Sequence, residues 1–373
     1  MKSGPYKFRF ASYIPQIPAW VELFLLHEAW VFFSALLPYS HPRQSILSMS
    51  EAYSSRATLW FQYDALFYLH IAHYGYGSHP SAFYPLLPIL IWLAHSRWIA
   101  LLIMQAIFAA DVYYLNRFLT TFDLSAGQIT LALALFAFNP AAVFYSTLYT
   151  EPLMLLLSLL STLQAQEHKY ITAAVTAGLA ALSHPTGALL GIMPLVLLIQ
   201  SFKYHNRQQL WGAVIWGSGI VIALALFVGY SLIFWHTPFG PWLGESGWHS
   251  RWVWPWVQYQ QVIVIHSADH VYEIILSALS LPYLLGAILL ASKWSKSSLP
   301  ALIYAWAGTL VSLSFYALNT PFHSTLRLLS PYFPLYAGIS LANNKVLIRI
   351  VIILWGAASL YGAIRFTHQW WWQ

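Results

Sequence analysis

The sequence predicts an all-α, polytopic integral membrane protein, from its low charge, its apolar content and its many interfacial aromatic residues. Charged residues make up only 8% of the 373 residues, whereas apolar residues make up 59% and the mean hydropathy is +0.60. A soluble domain carries about 25% charged residues. The 19 Trp and 24 Tyr are typical of a chain with many membrane–water interfaces, where these side chains concentrate.

Eleven apolar segments follow one another along the chain, and each is expected to form a membrane-spanning helix. They cover residues 19–38, 98–117, 126–139, 152–166, 171–184, 187–202, 210–235, 271–291, 299–318, 328–343 and 347–365. Several are shorter than the roughly 20 residues that cross a bilayer as a helix. Pro140, Pro152 and Pro185 lie at their junctions, so broken or tilted helices are expected there.

Segment 83–96 is also apolar, and it either crosses the membrane or lies against the outer face. If it does not cross, 11 basic residues lie in inner loops: Lys2, Lys7, Arg9, Arg117, Lys169, Lys203, Arg207, Lys293, Lys296, Lys345 and Arg349. The other 6 then lie outside: Arg43, Arg56, Arg97, Arg251, Arg327 and Arg365. The positive-inside rule favours this arrangement over the alternative, in which the split becomes 7 inside and 10 outside. The N-terminus is then cytoplasmic, and one external face carries Asp64, Glu151, His184, the 236–270 loop and Arg327.

The charge pattern and the missing cysteines exclude several function classes. The net charge of +6 is spread without a Lys/Arg-rich run, so no nucleic-acid partner is expected. The absence of cysteine removes disulfides, thiol catalysis and iron–sulfur ligation. No Asn-x-Ser/Thr acceptor is present, which favours a prokaryotic plasma membrane.

Asp64 is one of only 11 acidic residues, and it lies in the aromatic, Gly- and Pro-rich stretch 60–88. An isolated carboxylate in so apolar a chain costs several kcal/mol when it is desolvated without a partner. Asp64 is therefore expected to face water, a counter-charge or a substrate. The alternative is that Asp64 caps a juxtamembrane helix that begins with Ala65.

The 15 histidines raise the alternative of a metal or haem protein. His70 and His73 are three residues apart, and His266 and His270, four apart, flank Asp269. An i,i+4 pair can bind a metal, and such a site would indicate an electron-transfer protein or an oxidase. The predicted spans contain few facing histidines, so interfacial polar residues are the favoured interpretation.

Four stretches, in this order, resemble motifs of the glycosylphosphatidylinositol mannosyltransferase II family. Residues 60–88, with Trp60, Asp64 and Tyr68, resemble its first luminal loop. Residues 139–153, ending Tyr149-Thr-Glu151-Pro-Leu, resemble its Pro-x-x-x-Phe…Tyr-Ser-Glu segment. The stretch 239–255, which contains Gly247-Trp248-His-Ser-Arg251, resembles its Trp-x-Arg loop, and 327–334, beginning with Arg327, is similar to its late Arg-containing helix start.

The resemblance implies a single GT-C-like domain over residues 1–373, with about 11 transmembrane helices and an external juxtamembrane helix region. Residues 39–97 would form the first external loop, which carries the catalytic Asp, and 236–270 a Trp-rich external loop. The family takes mannose from a polyprenyl-phosphate donor on the non-cytoplasmic face. Two positions depart from the family pattern: His184-Pro185-Thr186-Gly187 replaces an Arg-containing turn, and Glu245 replaces an amide.

The chemistry of transfer gives each candidate residue a role. The phosphate leaving group is stable without protonation, so one carboxylate can suffice as the base for the acceptor hydroxyl, and Asp64 is that candidate. Arg251 and Arg327 either bind the donor phosphate or act as headgroup anchors. Glu151 orients the acceptor, joins Asp64 in holding a divalent cation that the chemistry does not require, or caps its helix before Pro152. The remaining acceptor- or sugar-binding candidates are Trp60, Tyr68, Trp248 and His184.

A membrane transporter or flippase of lipid-linked saccharides is the competing function. That class predicts buried ionisable residues inside the spans, and Asp111 is the one plausible example. Membrane lipids are expected partners in both cases. The acceptor stays open between lipid, glycan and protein, and the sugar between mannose and another hexose.

Overall fold

The computed structural model describes residues 17–37, 60–78, 81–247, 249–264, 270–293, 295–317 and 320–368. Its regular structure is almost entirely helical, as predicted. The α-helices are α1 Ala19–Leu36, α2 Asp64–Tyr74, α3 Leu86–Ala94, α4 Arg97–Leu119, α5 Ala126–Ala137, α6 Thr150–Gln166, α7 Tyr170–Ser183, α8 Ile192–Lys203, α9 Arg207–Trp235, α10 Gly240–Ser246, α11 Pro255–Val264, α12 His270–Leu290, α13 Leu299–Ser314, α14 Thr325–Leu329, α15 Pro334–Ser340 and α16 Lys345–Thr367. Short 3-10 helices cover Ala142–Tyr145, Pro185–Gly191 and Ala291–Lys293, and the strands β1 Arg251–Trp252 and β2 Phe315–Tyr316 pair antiparallel.

Six helical segments of the described chain are long and apolar enough to cross a membrane. They are Ala19–Leu36, Arg97–Leu119, Pro185–Lys203, Arg207–Trp235, His270–Lys293 and Lys345–Thr367. Three further apolar helices, α5, α7 and α13, are shorter. The fold is therefore that of an α-helical chain suited to a membrane, but the predicted count of about eleven spans is not confirmed.

The largest difference from the predicted spans lies at 328–343. This apolar segment forms no single long helix but two short buried ones, α14 and α15. Pro331 and Pro334 lie between and at the start of these helices, and proline removes a backbone donor and clashes with the preceding turn. The chain consequently turns inside the bundle at this point.

Helix α3 lies within the ambiguous segment 83–96, and its length indicates whether this segment can cross a membrane. It has 9 residues and therefore spans about 13 Å, far less than the hydrocarbon thickness of a bilayer. Its length agrees with the arrangement in which this segment does not cross.

Close approach of helices depends on small residues. A Cβ atom at Gly219 of α9 would collide with the Ala174 carbonyl of α7, and one at Gly178 with the backbone of Gly219. Small residues let helix backbones approach closely, which is how helices gain packing contacts in lipid. The site described below is built where the N-terminal ends of α2 and α6 meet α14.

Candidate functional site

Three residues from distant parts of the chain form one charged cluster. Arg327 Nη1 lies 2.7 Å from Asp64 Oδ2, and Arg327 Nε lies 3.1 Å from Glu151 Oε1. The exposed fraction of the side chain is 18% for Asp64, 3% for Glu151 and 13% for Arg327. A partly buried guanidinium therefore holds two carboxylates, and the resemblance had assigned a role to each of these three residues.

Asp64 is placed by the start of α2. It is the first residue of that helix, where negative charge is favoured by the helix dipole. Its backbone N–H donates to the Tyr149 hydroxyl at 3.2 Å, and that hydroxyl donates to the Gln62 carbonyl at 3.3 Å. No side chain caps α2, so the Asp64 carboxylate pairs with Arg327 instead of serving as the alternative cap.

The Arg327 guanidinium lies between aromatic rings. Its central carbon is 5.5 Å from the ring centre of Phe144 and 5.6 Å from that of Tyr149. Cation–π attraction and the two carboxylates both favour the charged form. Burial would lower the pKa of Arg327, but Asp64 and Glu151 outweigh it and raise that pKa.

Glu151 lies in the first turn of α6, outside the six long apolar helices. Burial raises its pKa to about 7, although Arg327 and the N–H groups of the first turn act in the opposite direction. Its Oε2 atom is buried and has no hydrogen-bond partner among the described residues. Because buried polar atoms normally have partners, this oxygen is suited to a substrate hydroxyl or a water molecule.

Two of the predicted sugar-binding residues lie beside the cluster. Tyr68 is buried on α2, where burial and then the nearby Asp64 carboxylate raise the pKa of its hydroxyl. His184 caps the 3-10 helix Pro185–Gly191: its Nδ1 accepts from the Thr186 N–H at 3.2 Å. Burial and then Arg327 lower the pKa of His184 to about 3, so its ring is neutral.

The other predicted site residues are placed less directly. Trp60 is half-buried against the hydrophobic core. Arg251 is exposed on β1, with its guanidinium carbon 4.5 Å from the ring centre of Tyr316. No hydrogen bond or ion pair within the described ranges joins Arg251 to the cluster, so its phosphate role stays a prediction. Trp248 lies outside the described residues.

Three further residues near the cluster were missed. Tyr149 lies within the recognised stretch 139–153 but was given no role. Burial raises the pKa of Glu245 to about 7, and Asp64 adds to this effect while Arg327 opposes it. Burial and then Arg327 lower the pKa of His323 to about 4. Only the departure at Glu245 was visible in the sequence; His323 was one of 15 histidines without a distinguishing pattern.

The described part of the chain contains no group of three or more His, Asp or Glu residues arranged to hold a metal ion. His70 and His73 are both exposed, and each ring contacts Tyr74. His266 and Asp269, the expected neighbours of His270, lie outside the described residues. Asp64 and Glu151 are both paired with Arg327.

An apolar groove of about 530 Å³ lies between α2, α3, α7 and α9. Its walls include Ile71 and Ala72 of α2, Trp92 of α3 and Phe227 of α9. Asp64 begins the helix that provides one of these walls. Ile71 is seven positions after Asp64, about 10 Å along the helix axis. No pattern in the sequence indicated this groove.

Comparison with known proteins adds no relative. No model of a protein family matches the chain, and no curated protein matches it. The resemblance therefore rests on the four stretches of sequence alone.

Proposed function

We propose that this protein is an inverting glycosyltransferase that moves mannose from polyprenyl-phosphate mannose to an acceptor hydroxyl, with Asp64 as the general base. The observation that carries the proposal is the cluster of Asp64, Glu151 and Arg327. Their roles came from three separate stretches of the chain, and the three side chains are in direct contact. On this proposal, the cluster brings together a base, an acceptor-orienting acid and a phosphate-binding cation.

The reaction needs few groups from the protein. The acceptor oxygen forms a bond to the anomeric carbon, the bond from that carbon to the phosphate oxygen breaks, and the electron pair leaves with the phosphate. The acceptor proton passes to the Asp64 carboxylate. Because the leaving phosphate needs no proton, no general acid is required. Attack opposite to the leaving group converts a β-linked donor into an α-linked product.

Arg327 would serve both the base and the donor. A guanidinium has five N–H donors in a fixed plane, so it can hold a carboxylate and contact a phosphate oxygen together. The ion pair with Asp64 orients the base, while the positive charge stabilises the leaving phosphate. Glu151, whose Oε2 has no hydrogen-bond partner within the described residues, would accept a hydrogen bond from the acceptor.

The apolar groove supports a lipid-linked donor. It is lined by α2, which carries Asp64 at its start, and by α9, one of the long apolar helices. A donor whose tail lies in this groove can extend toward the start of α2, since Ile71 in the groove wall lies about 10 Å along the helix axis from Asp64. On this proposal the site faces the outside of a prokaryotic plasma membrane, and no metal is required.

One observation favours the second candidate, a flippase or transporter of lipid-linked saccharides. Asp111 of α4 is fully buried inside a long apolar helix, and within the described chain neither carboxylate oxygen has a hydrogen-bond partner. Ionisable residues inside membrane spans are costly and often mark a transport path. This function requires no catalytic base, so the two candidates differ in their dependence on Asp64.

The deciding experiment is transfer of radiolabelled mannose from polyprenyl-phosphate mannose to a native lipid and glycan extract. Wild-type protein should label a product that the Asp64→Asn variant does not, and the product would identify the acceptor. Other polyprenyl-phosphate hexoses would be tested in parallel, to establish the sugar. No transfer from any of these donors by folded wild-type protein would overturn the proposal and favour transport.

A further inference from the structure

A chain of hydrogen bonds connects α1 to the turn after the 3-10 helix Ala142–Tyr145. His27 Nδ1 lies 2.6 Å from the Ala137 carbonyl oxygen, and His27 Nε2 lies 2.8 Å from Ser146 Oγ. Ser146 Oγ is also 2.8 Å from Glu28 Oε1. His27 and Ser146 are each 1% exposed. The proposed transfer chemistry does not use any of these residues.

The donors and acceptors of this hydrogen-bond network determine how many protons it holds. The Ala137 carbonyl can only accept, so His27 Nδ1 carries a hydrogen. The two contacts of Ser146 Oγ then need two hydrogens, and its own hydroxyl supplies one. The other comes either from Nε2–H of a charged His27 or from a protonated Glu28. In both forms the network is neutral and holds one additional proton.

Loss of that proton would break the network. One of the two 2.8 Å contacts at Ser146 Oγ would then bring lone pairs together without a hydrogen between them. A buried polar group left without its hydrogen bond is destabilising. The network would also carry a net negative charge on Glu28, whose side chain is 28% exposed and lies in a long apolar helix, where an unpaired charge is costly.

Ser146 lies at the start of the segment that supplies two residues of the site. Tyr149, three residues later, contacts Asp64 and Gln62, and Glu151 follows two residues after Tyr149. Gln105 of α4 donates its side-chain N–H to the Ser146 carbonyl at 2.8 Å, which fixes the backbone of the turn. Movement of Ser146 would therefore displace Tyr149 and Glu151.

We infer that Glu28, Ser146 and His27 form a one-proton lock that holds segment 146–151 in its position at the site. These are positioning residues that act through Tyr149 and Glu151. The lock closes when the network is protonated and opens as the pH rises and the proton is lost. This inference rests on hydrogen-bond geometry and goes beyond the proposed function, because it holds whatever reaction the site performs.

Other ionisable groups around α1 are few. The helices packed against it are α4, α5 and α16, and Ser146 follows a turn that contains Tyr145. These elements and α1 itself carry Glu22, Arg97, Asp111, Tyr113, Tyr114, Arg117, Tyr145, Lys345, Arg349, Tyr361 and Arg365, whereas α5 has none. Within the described residues, the side-chain hydrogen bonds and ion pairs of His27 and Glu28 involve only each other, Ser146 and Ala137.

Glu28→Gln tests the lock, because the glutamine amide always donates to Ser146 Oγ and so imitates protonated Glu28. The thermal unfolding midpoint of the purified full-length protein would be measured across the pH range in which it stays folded. The wild-type midpoint should fall with rising pH more steeply than that of Glu28→Gln, by on the order of 2 °C at the alkaline end. Glu22→Gln, an exposed position on the same helix, is the matched control and should behave as wild type.

Hydrogen–deuterium exchange distinguishes a positioning role from general stabilisation. At alkaline pH the peptide covering 139–153 should exchange about tenfold faster in wild type than in Glu28→Gln, while peptides from α9 should not differ. Once Ser146→Ala is present, adding Glu28→Gln should no longer change this exchange rate. Equal pH dependence in wild type and Glu28→Gln, or a Glu28→Gln protein that does not fold, would overturn the lock. Neither measurement needs a substrate, so failure of the proposed function would leave this test intact.

Discussion

Arg327 Nη1 lies 2.7 Å from Asp64 Oδ2, although 263 residues separate the two in the sequence. The residue proposed to bind the donor phosphate thus also holds the proposed base. A donor phosphate would enter a site in which the guanidinium is already engaged by a carboxylate. The base and the phosphate are then linked through one cation, and removal of either partner affects both.

Asp64→Asn should abolish transfer while the protein stays folded. Asparagine keeps the shape of the side chain and an oxygen facing Arg327, but it cannot accept the acceptor proton at neutral pH. Loss of a general base costs about 100-fold or more in kcat. Donor affinity, measured with a non-transferable donor analogue, should change little. Turnover near the wild-type value would remove Asp64 as the base.

Arg327→Ala and Arg251→Ala should differ in their effects. Both are expected to weaken donor binding more than the chemical step, but Arg327→Ala also leaves Asp64 and Glu151 without their cation. Removing one partner of a buried ion pair costs about 3 kcal/mol of stability. Arg251 is exposed, so its variant should unfold like wild type. Donor titrations and thermal unfolding measure both effects; unchanged donor affinity in both variants would place the phosphate elsewhere.

Glu151 should make the protein less stable as the pH rises from about 4.5 to about 7. Its pKa is 4.5 in an exposed reference state and about 7 in the fold, so the folded state binds more protons in this window. Stability is therefore full below the unfolded-state pKa and is lost as the pH rises through the folded-state pKa. Glu151→Gln should flatten this part of the thermal unfolding profile. A profile identical to wild type would contradict burial of an ionisable Glu151.

Transfer should survive metal removal. Asp64 and Glu151 are both paired with Arg327, and a monophosphate donor does not need a bridging cation. Activity measured after dialysis against a strong chelator should equal that of untreated protein within error. A loss that Mg²⁺ or Mn²⁺ restores would indicate a metal bridge between the two carboxylates.

A bulky residue in the groove should discriminate donors by the length of their tails. Ala72→Trp would fill part of the space beside Ile71 and Trp92 and raise KM for long-chain donors about tenfold or more, with less effect on a short-chain soluble analogue. Ile171→Trp, at a position 72% exposed on α7, is the control. An equal effect of Ala72→Trp on both donors would show that the tail lies elsewhere.

The members of the cluster were predictable from the sequence, but their arrangement was not. Asp64, Glu151 and Arg327 stand in three of the stretches that carry the resemblance, and the distribution of basic residues predicts that they share one face. The sequence around Arg327 does not indicate that it pairs with both acids, because that contact depends on how α14 packs against α2 and α6. Tyr149 was missed for the same reason, since its role is a hydrogen bond to a residue 85 positions away.

Apolar length was a weaker guide to the helices. Segment 328–343 is apolar enough to suggest a span, but Pro331 and Pro334 divide it into two short buried helices. Hydropathy averaged along the sequence treats these prolines only as two moderately apolar residues. It does not register that each proline removes a backbone hydrogen-bond donor. The adjacent His27 and Glu28 were a visible signal inside the first apolar segment, and their partner Ser146 became apparent only in the fold.

The order in which the three residues of the cluster are synthesised has a consequence for biogenesis. Asp64 and Glu151 are synthesised early, whereas Arg327 follows only after α13. Until then two acids prepared for a shared cation have none, and they must stay hydrated or protonated. Chain termination before α14 would leave both carboxylates without the guanidinium that pairs with them in the complete fold.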